Sequence, residues 1–299
     1  MRLKEKIQNY GKLIRFSHTV FALPFALASL VLAWPIHPLT PTTFFWILVA
    51  MVGARSAAMG FNRLVDRKFD ALNPRTRGWE LPLGTVKIWE AIALTTAASL
   101  MFVYAAYQLN DLCLALSPLA LAVIFSYSLT KRFTWASHLF LGLALSLAPL
   151  GAWLAVSGSP IDVDELRTPL LLAGAVVFWL AGFDVIYSLQ DREFDRKSGL
   201  YSIPVRFGVA GALRISSLFH GFTVIFLAAV GVAAELGMIY WFGVVLIAVI
   251  LIWEHQIVKP ADLSRINRAF FDFNAYVSIG YFVATLSDLI VTQGFGAGR

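Results

Sequence analysis

Residues 45–70 read FWILVAMVGARSAAMGFNRLVDRKFD: sixteen positions carrying one charge, Arg55, followed by ten that carry five. The charged decapeptide has a near-copy 125 positions on, IYSLQDREFD at 186–195, in which Asp191, Arg192, Phe194 and Asp195 take the places of Asp66, Arg67, Phe69 and Asp70. Each copy lies where a long apolar run gives out. A bilayer-spanning helix needs about 20 apolar residues, so 45–70 reads as a span that delivers a set of charges to a membrane face.

The whole chain fits that reading. Of its 299 residues 59% are hydrophobic and 14% charged, with a mean hydropathy of +0.72, which excludes an ordinary soluble domain. Apolar runs near 13–34, 42–65, 86–107, 111–129, 136–156, 167–188, 211–234, 238–257 and 272–292 predict nine transmembrane helices. They lack the alternation of barrel strands, so the expected fold is all-α, a polytopic membrane protein in the lipid bilayer. The first run follows a basic segment but is long for a signal h-region and has no convincing cleavage site, so it is expected to stay as the first span. The single cysteine, Cys113, allows no internal disulfide and is expected to pack as a small apolar residue.

The net charge of +6 does not point to nucleic acid, because lysines and arginines gather before span 1 and in every second loop. Those after span 2 include Arg63, Arg67, Lys68, Arg75 and Arg77, and those after span 6 include Arg192, Arg196 and Lys197. The positive-inside rule then puts the N-terminus and both copies of the motif on the cytoplasmic side and the C-terminus outside. With no linker between spans, the chain is expected to be one membrane domain, 1–299, of two pseudo-repeated halves, about 13–134 and 136–292. Such internal symmetry often sets a polar site where the halves face each other, here around a central cavity.

Asn62, Asp66 and Asp70 recur at i, i+4 and i+8, along one helical face. Asp191 and Asp195 keep the spacing, and Asp184 returns to nearly the same side two turns earlier. Five carboxylates near one membrane face repel one another unless a cation joins them. Oxygen donors without a thiolate or histidine cluster suit Mg²⁺, held by one or two carboxylates together with substrate phosphate oxygens. A diphosphate adds further negative charge, and Arg67, Lys68, Arg192, Lys131 and Arg132 are expected on the same side to offset it. Arg55, a charge inside a span, is a functional candidate in its own right. The five histidines, His18, His37, His138, His220 and His255, share no ligand spacing and are assigned to no metal. Paired acids in a repeated bundle would also suit a transporter of Mg²⁺ or phosphate esters, but the outer halves of the spans are nearly all apolar.

These residues resemble the UbiA superfamily of intramembrane aromatic prenyltransferases over nearly the whole chain. Asn62, Asp66 and Asp70 match its NxxxDxxxD motif, with Arg55 as the arginine seven positions earlier. Asp184, Tyr187, Asp191 and Asp195 match DxxYxxxDxxxD, and Tyr127, Lys131 and Arg132 match YxxxKR. Stretches such as RSAAMGFNRLVDRKFDALNPRT and TKRFTWASHLFLGLALSLAPLGAW are most similar to the 4-hydroxybenzoate polyprenyltransferase branch, including related menaquinone-route enzymes. One departure is Trp79 in RGWELPLG, where the family usually has an arginine: either Arg75 or Arg77 substitutes, or the donor is held more weakly.

The resemblance implies an enzyme of quinone biosynthesis in the bacterial inner (plasma) membrane. It would transfer a polyprenyl group from its diphosphate to the ring of an aromatic acid, 4-hydroxybenzoate, ortho to the hydroxyl, and release pyrophosphate. It implies Mg²⁺ on Asn62, Asp66, Asp70, Asp191 and Asp195, and a diphosphate or acceptor neighbourhood of Lys131, Arg132, Arg67, Arg192 and Tyr187. Arg55, with Arg15, would bind the acceptor carboxylate, and Asp184 would orient the acceptor hydroxyl, accept a proton or join the metal shell. Asp66, Asp184, Asp191 and Arg55 are thus the expected catalytic set. The same fold acting on dihydroxynaphthoate, haem, a chlorophyllide or homogentisate is the nearest alternative, and the sequence leaves chain length and oligomeric state open.

Overall fold

The computed structural model describes residues 9–13, 22–158 and 162–294. Arg15, His18 and much of the first expected span lie outside them. The described part is helical: α1 (Leu23–Ala33), α2 (Pro41–Leu72), α3 (Ile88–Leu109), α4 (Asp111–Thr130), α5 (Ser137–Ser157) and α6 (Arg167–Ser188) come first. After them come a short α7 (Arg192–Lys197), α8 (Ile203–Ala233), α9 (Met238–Ile257) and α10 (Asn274–Gln293). Among the described residues there is no strand, only an isolated bridge between Lys259 and Asp262. Eight helical segments are long and apolar enough to cross a membrane, and α1 is a shorter apolar helix ahead of them. The protein is an all-α integral membrane protein.

The helices depart from the expected spans mostly by being longer, and each extension has a local cause. α2 starts at Thr40, whose hydroxyl accepts the Thr43 N–H at 3.1 Å, with Pro41 next. It runs past the apolar stretch to Leu72, so Asp66 and Asp70 ride on helix rather than loop. α8 starts eight residues before the expected 211, capped by Ser202 and followed by Pro204. It turns at Gly208, whose φ of 71° is open to glycine and strained for other residues. Before α10, residues Ala269–Phe273 form a π-helical turn. Asn274 Nδ2 donates to the carbonyls of Ala269 and Phe270 at 3.1 and 3.2 Å, and to Glu254 at 3.3 Å. That side chain satisfies carbonyls which the wide turn leaves without their usual partners.

The packing makes a ring. α2 lies along α3 and α4, α4 on α5, α5 on α6, α6 on α8, α8 on α9 and α9 on α10, while α1 fills the gap between α10 and α5. A buried core lies where α1, α6, α9 and α10 meet: Phe25 stands 4.8 Å from the Trp179 ring and 5.2 Å from Tyr281, and all three are buried. Asp288 of α10 accepts the Gly237 and Tyr240 N–H groups at 2.7 and 3.2 Å, an anion where the α9 N-terminus has free donors. Lipid supplies no hydrophobic drive between helices, so close backbone approach matters. At Gly53 an added Cβ would lie 2.9 Å from the Phe102 backbone nitrogen, and at Gly142 it would run into the Val177 carbonyl.

The Gly142 contact joins α5 to α6, and backbone cannot swing aside. Gly142→Ala is therefore expected to cost about 1–3 kcal/mol through overpacking, read as a lowered melting temperature in detergent. Gly221→Ala, on α8 with nothing within 4 Å of the new Cβ, should leave the melt unchanged or slightly raised.

Candidate active site

A cavity of about 730 Å³ runs between α2, α4, α5 and α6, and both copies of the acidic motif open into it. Asp66 and Asp70 reach it from α2. The second copy does not continue as a straight helix: Leu189–Asp191 tightens into a 3₁₀ turn before α7. That turn changes the phase assumed from the i, i+7 spacing, yet Asp184, Asp191 and Asp195 all still line the cavity. Tyr187 lines it too, its ring 4.1 Å from that of Phe270, which the π-helical turn presents.

Each acid has its own partner. Asp66 accepts from Asn62 Nδ2 and from Arg132 Nη2, both at 3.0 Å. Asp70 stands 3.8 Å from Arg63. Asp191 is gripped bidentately by Arg75, Nε to Oδ1 at 2.9 Å and Nη2 to Oδ2 at 2.6 Å, and Asn73 adds a third donor at 3.0 Å. Lys131 Nζ donates to Asp195 at 3.2 Å. Asp184 is 2.6 Å from Nδ1 of His138. The Arg75–Asp191 and Lys131–Asp195 pairs join the two halves of the chain, so the acids hold the cavity's walls together as well as facing into it.

Charge is balanced across the lining, with five carboxylates against Arg55, Arg63, Arg75, Lys131 and Arg132. For Arg75, burial disfavours the cation, but the hydrogen bond to Asp191 and its charge outweigh that and hold the pKa above the usual arginine value. Burial likewise works against the Lys131 ammonium. The charges of Asp195, Asp184 and Asp191, with the Asp195 hydrogen bond, prevail and raise its pKa, so it is protonated at neutral pH. Arg55 is different: among the described residues it has no hydrogen-bond or ion-pair partner, and its Nε is buried. It sits two helical turns below Asn62, facing the same cavity.

No three His, Cys, Asp or Glu side chains among the described residues stand close enough to chelate a metal unaided. What is present fits Mg²⁺ nonetheless: oxygen donors only, in separate ones and twos around a space where phosphate oxygens would complete the shell.

Not every sequence-predicted residue belongs here. Arg67 bonds the Leu64 carbonyl at 2.8 Å, and Arg192 turns to the Pro204 carbonyl and to Glu193. Neither lines the cavity, because both occupy the outer face of their helices while the acids take the inner one. Arg63 and His138 were missed. Arg63 precedes Asp70 by seven residues and shares its face, a periodicity the sequence offered. His138 carries no such signal. Trp79 lies over Arg63, 3.6 Å from its guanidinium, and 5.4 Å from that of Arg75. Thus Arg75, and not Arg77, lines the cavity near the departing position. Cys113 lines the apolar end, a free thiol packed among aliphatic groups.

Comparisons with known proteins place the chain in a family. The chain is 31% identical over 288 residues to a 4-hydroxybenzoate octaprenyltransferase of Methylobacillus flagellatus, covering 95% of each. A solved UbiA homolog from Aeropyrum pernix K1 superposes with a TM-score of 0.83 at 36% identity, over 91% of this chain and 98% of that one. A UbiA homolog from Archaeoglobus fulgidus, solved with DMAPP and Mg²⁺, shares the fold at a TM-score of 0.68 and 22% identity, over 93% and 99%. The family model for UbiA prenyltransferases matches residues 22–278, and the chain belongs to the UbiA prenyltransferase family.

Proposed function

We propose that the protein is a Mg²⁺-dependent aromatic polyprenyltransferase that joins a polyprenyl group to 4-hydroxybenzoate ortho to its hydroxyl, in quinone biosynthesis. The observation that carries this reading is one cavity with two chemistries. Its polar end holds the paired acids and bases, and beyond Arg55 the rest is apolar apart from Ser117 and Cys113, lined by Ile47, Met51, Phe102, Leu116 and Leu154. From Asn62 to Ile47 along α2 is about 22 Å, with Arg55 the one charge between, room for the start of an isoprenoid tail but no polar path for an ion. Lining residues come from both halves of the chain, which supports one prenyltransferase domain over 1–299.

Asn62, Asp66, Asp70, Asp191 and Asp195 would hold Mg²⁺. Bound there with a diphosphate, the ion would supply Lewis-acid charge to the leaving group. Lys131, Arg132, Arg75 and Arg63 draw the diphosphate oxygens into the polar end and stabilise the negative charge that builds as the allylic C–O bond breaks. Tyr187 and Phe270 line the same space. The Arg55 guanidinium is free to take the acceptor's carboxylate in a two-pronged grip, which would aim the ring at the allylic carbon. Asp184 takes the proton the ring gives up. The crowding of lysine and arginine at the acidic end of the bundle supports a cytoplasmic-facing site in the bacterial inner membrane.

Purified protein should release pyrophosphate only when a polyprenyl diphosphate, an aromatic acid and Mg²⁺ are all present. Asp66→Ala and Asp191→Ala should lower that turnover on the order of 10²-fold or more without preventing insertion, and full turnover in either variant would contradict the metal assignment. Arg55→Gln should raise the KM for 4-hydroxybenzoate about 10- to 100-fold, the worth of a charged hydrogen bond, with the donor KM nearly unchanged. Equal loss toward donor and acceptor would remove Arg55 from the acceptor site.

A further inference from the structure

Four of the five cavity acids face a guanidinium or an ammonium; Asp184 faces an imidazole. His138 is fully buried at the start of α5, and its Nδ1 lies 2.6 Å from Asp184 Oδ2. Its other nitrogen, Nε2, is 3.4 Å from the backbone nitrogen of Ile203, the first residue of α8. A backbone N–H only donates, and this one is among the helix's unpaired N-terminal donors. Nε2 must then present its lone pair, which puts the ring's proton on Nδ1, pointed at Asp184. Three helices fix that orientation: α5 carries the imidazole, α6 the carboxylate and α8 the donor.

Asp184 makes no other hydrogen bond among the described residues, and a fifth of its side chain is open. It therefore differs from the other acids in its partner: an imidazole holds one oxygen, no guanidinium or ammonium is hydrogen-bonded to it, and the other oxygen remains available.

We propose that His138 is a positioning residue that makes Asp184 the proton acceptor of the transfer reaction. This rests on the function proposed above. Once the new C–C bond has formed, the substituted ring carbon still carries its hydrogen. That C–H bond breaks, its electron pair returns to the ring and restores aromaticity, and the proton goes to Oδ1 of Asp184, then to water at the cavity mouth. The Nδ1–H of His138 holds Oδ2 throughout, keeping Oδ1 turned to the ring.

Three variants of the full-length enzyme test this with a polyprenyl diphosphate, Mg²⁺ and 4-hydroxybenzoate, either unlabelled or deuterated at the ring positions ortho to the hydroxyl. His138→Leu removes the donor and should lower kcat on the order of 10²-fold, the usual worth of a positioned base, with both KM values nearly unchanged. A primary deuterium isotope effect should appear on kcat as proton removal becomes slow. His138→Asn, whose amide can donate to Oδ2, should recover part of the rate and reduce the isotope effect. Asp184→Asn retains an acceptor for His138 but has no basic oxygen, and should lose kcat similarly while remaining folded, so the test stands even if His138→Leu does not fold. Wild-type kcat in Asp184→Asn, or equal losses in both His138 variants with no isotope effect, would overturn the proposal while wild-type turnover leaves the parent function intact. Wild-type protein that transfers no prenyl group to any aromatic acid would overturn both.

Discussion

Everything about this protein follows from the difficulty of placing five carboxylates at the end of a membrane-embedded bundle. In a medium of low polarity an unpaired carboxylate is costly and a cluster of them more so. The fold answers by giving each acid a private partner, and two of these pairs, Arg75–Asp191 and Lys131–Asp195, cross between the halves of the chain. The result is a cavity whose charges balance before any substrate arrives. Its groups are arranged so that, on the function proposed above, bases could turn from carboxylate to phosphate.

That arrangement explains why the catalytic face is built on secondary structure. α2 remains helical past its apolar stretch, keeping Asn62, Asp66 and Asp70 in register, and the 3₁₀ turn at Leu189–Asp191 re-aims the second motif toward them. Aromatic groups organise the bases in turn. Trp79 lies beneath Arg63 and near Arg75, so a residue that looks like a lost contact orients two cations. On the function proposed above, the apolar remainder of the cavity would take an isoprenoid tail, a molecule that dissolves in a bilayer.

The fold class was legible in the sequence because bilayer thickness leaves a length signature in apolar runs, as at 42–65 and 238–257. Helix ends were less legible: α2 continues through the polar residues 66–72, and residues 203–210 start at the Ser202 cap and turn at Gly208, features that hydropathy does not encode. The acids were readable because their period is helical and duplicated. Their partners were only partly so. Arg67 and Arg192 sit beside aspartates in sequence but on opposite helix faces, whereas Arg75 and His138 are distant in sequence and meet Asp191 and Asp184 through packing. Membrane side grouped Arg67 and Arg192 with Lys131 and Arg132, and only the last two line the cavity; periodicity would have found Arg63, and nothing short of the fold would have found His138.

The central claim, that the two acidic motifs jointly trap divalent metal only once a diphosphate is present, is tested most directly by counting bound ions. Mn²⁺ titrated into the purified protein and followed by electron paramagnetic resonance should bind weakly alone and tightly with an uncleavable thiolo analogue of the prenyl diphosphate. That gain should vanish in both Asp66→Ala and Asp191→Ala. Tight Mn²⁺ binding without the analogue, or a gain that survives loss of either motif, would contradict the account.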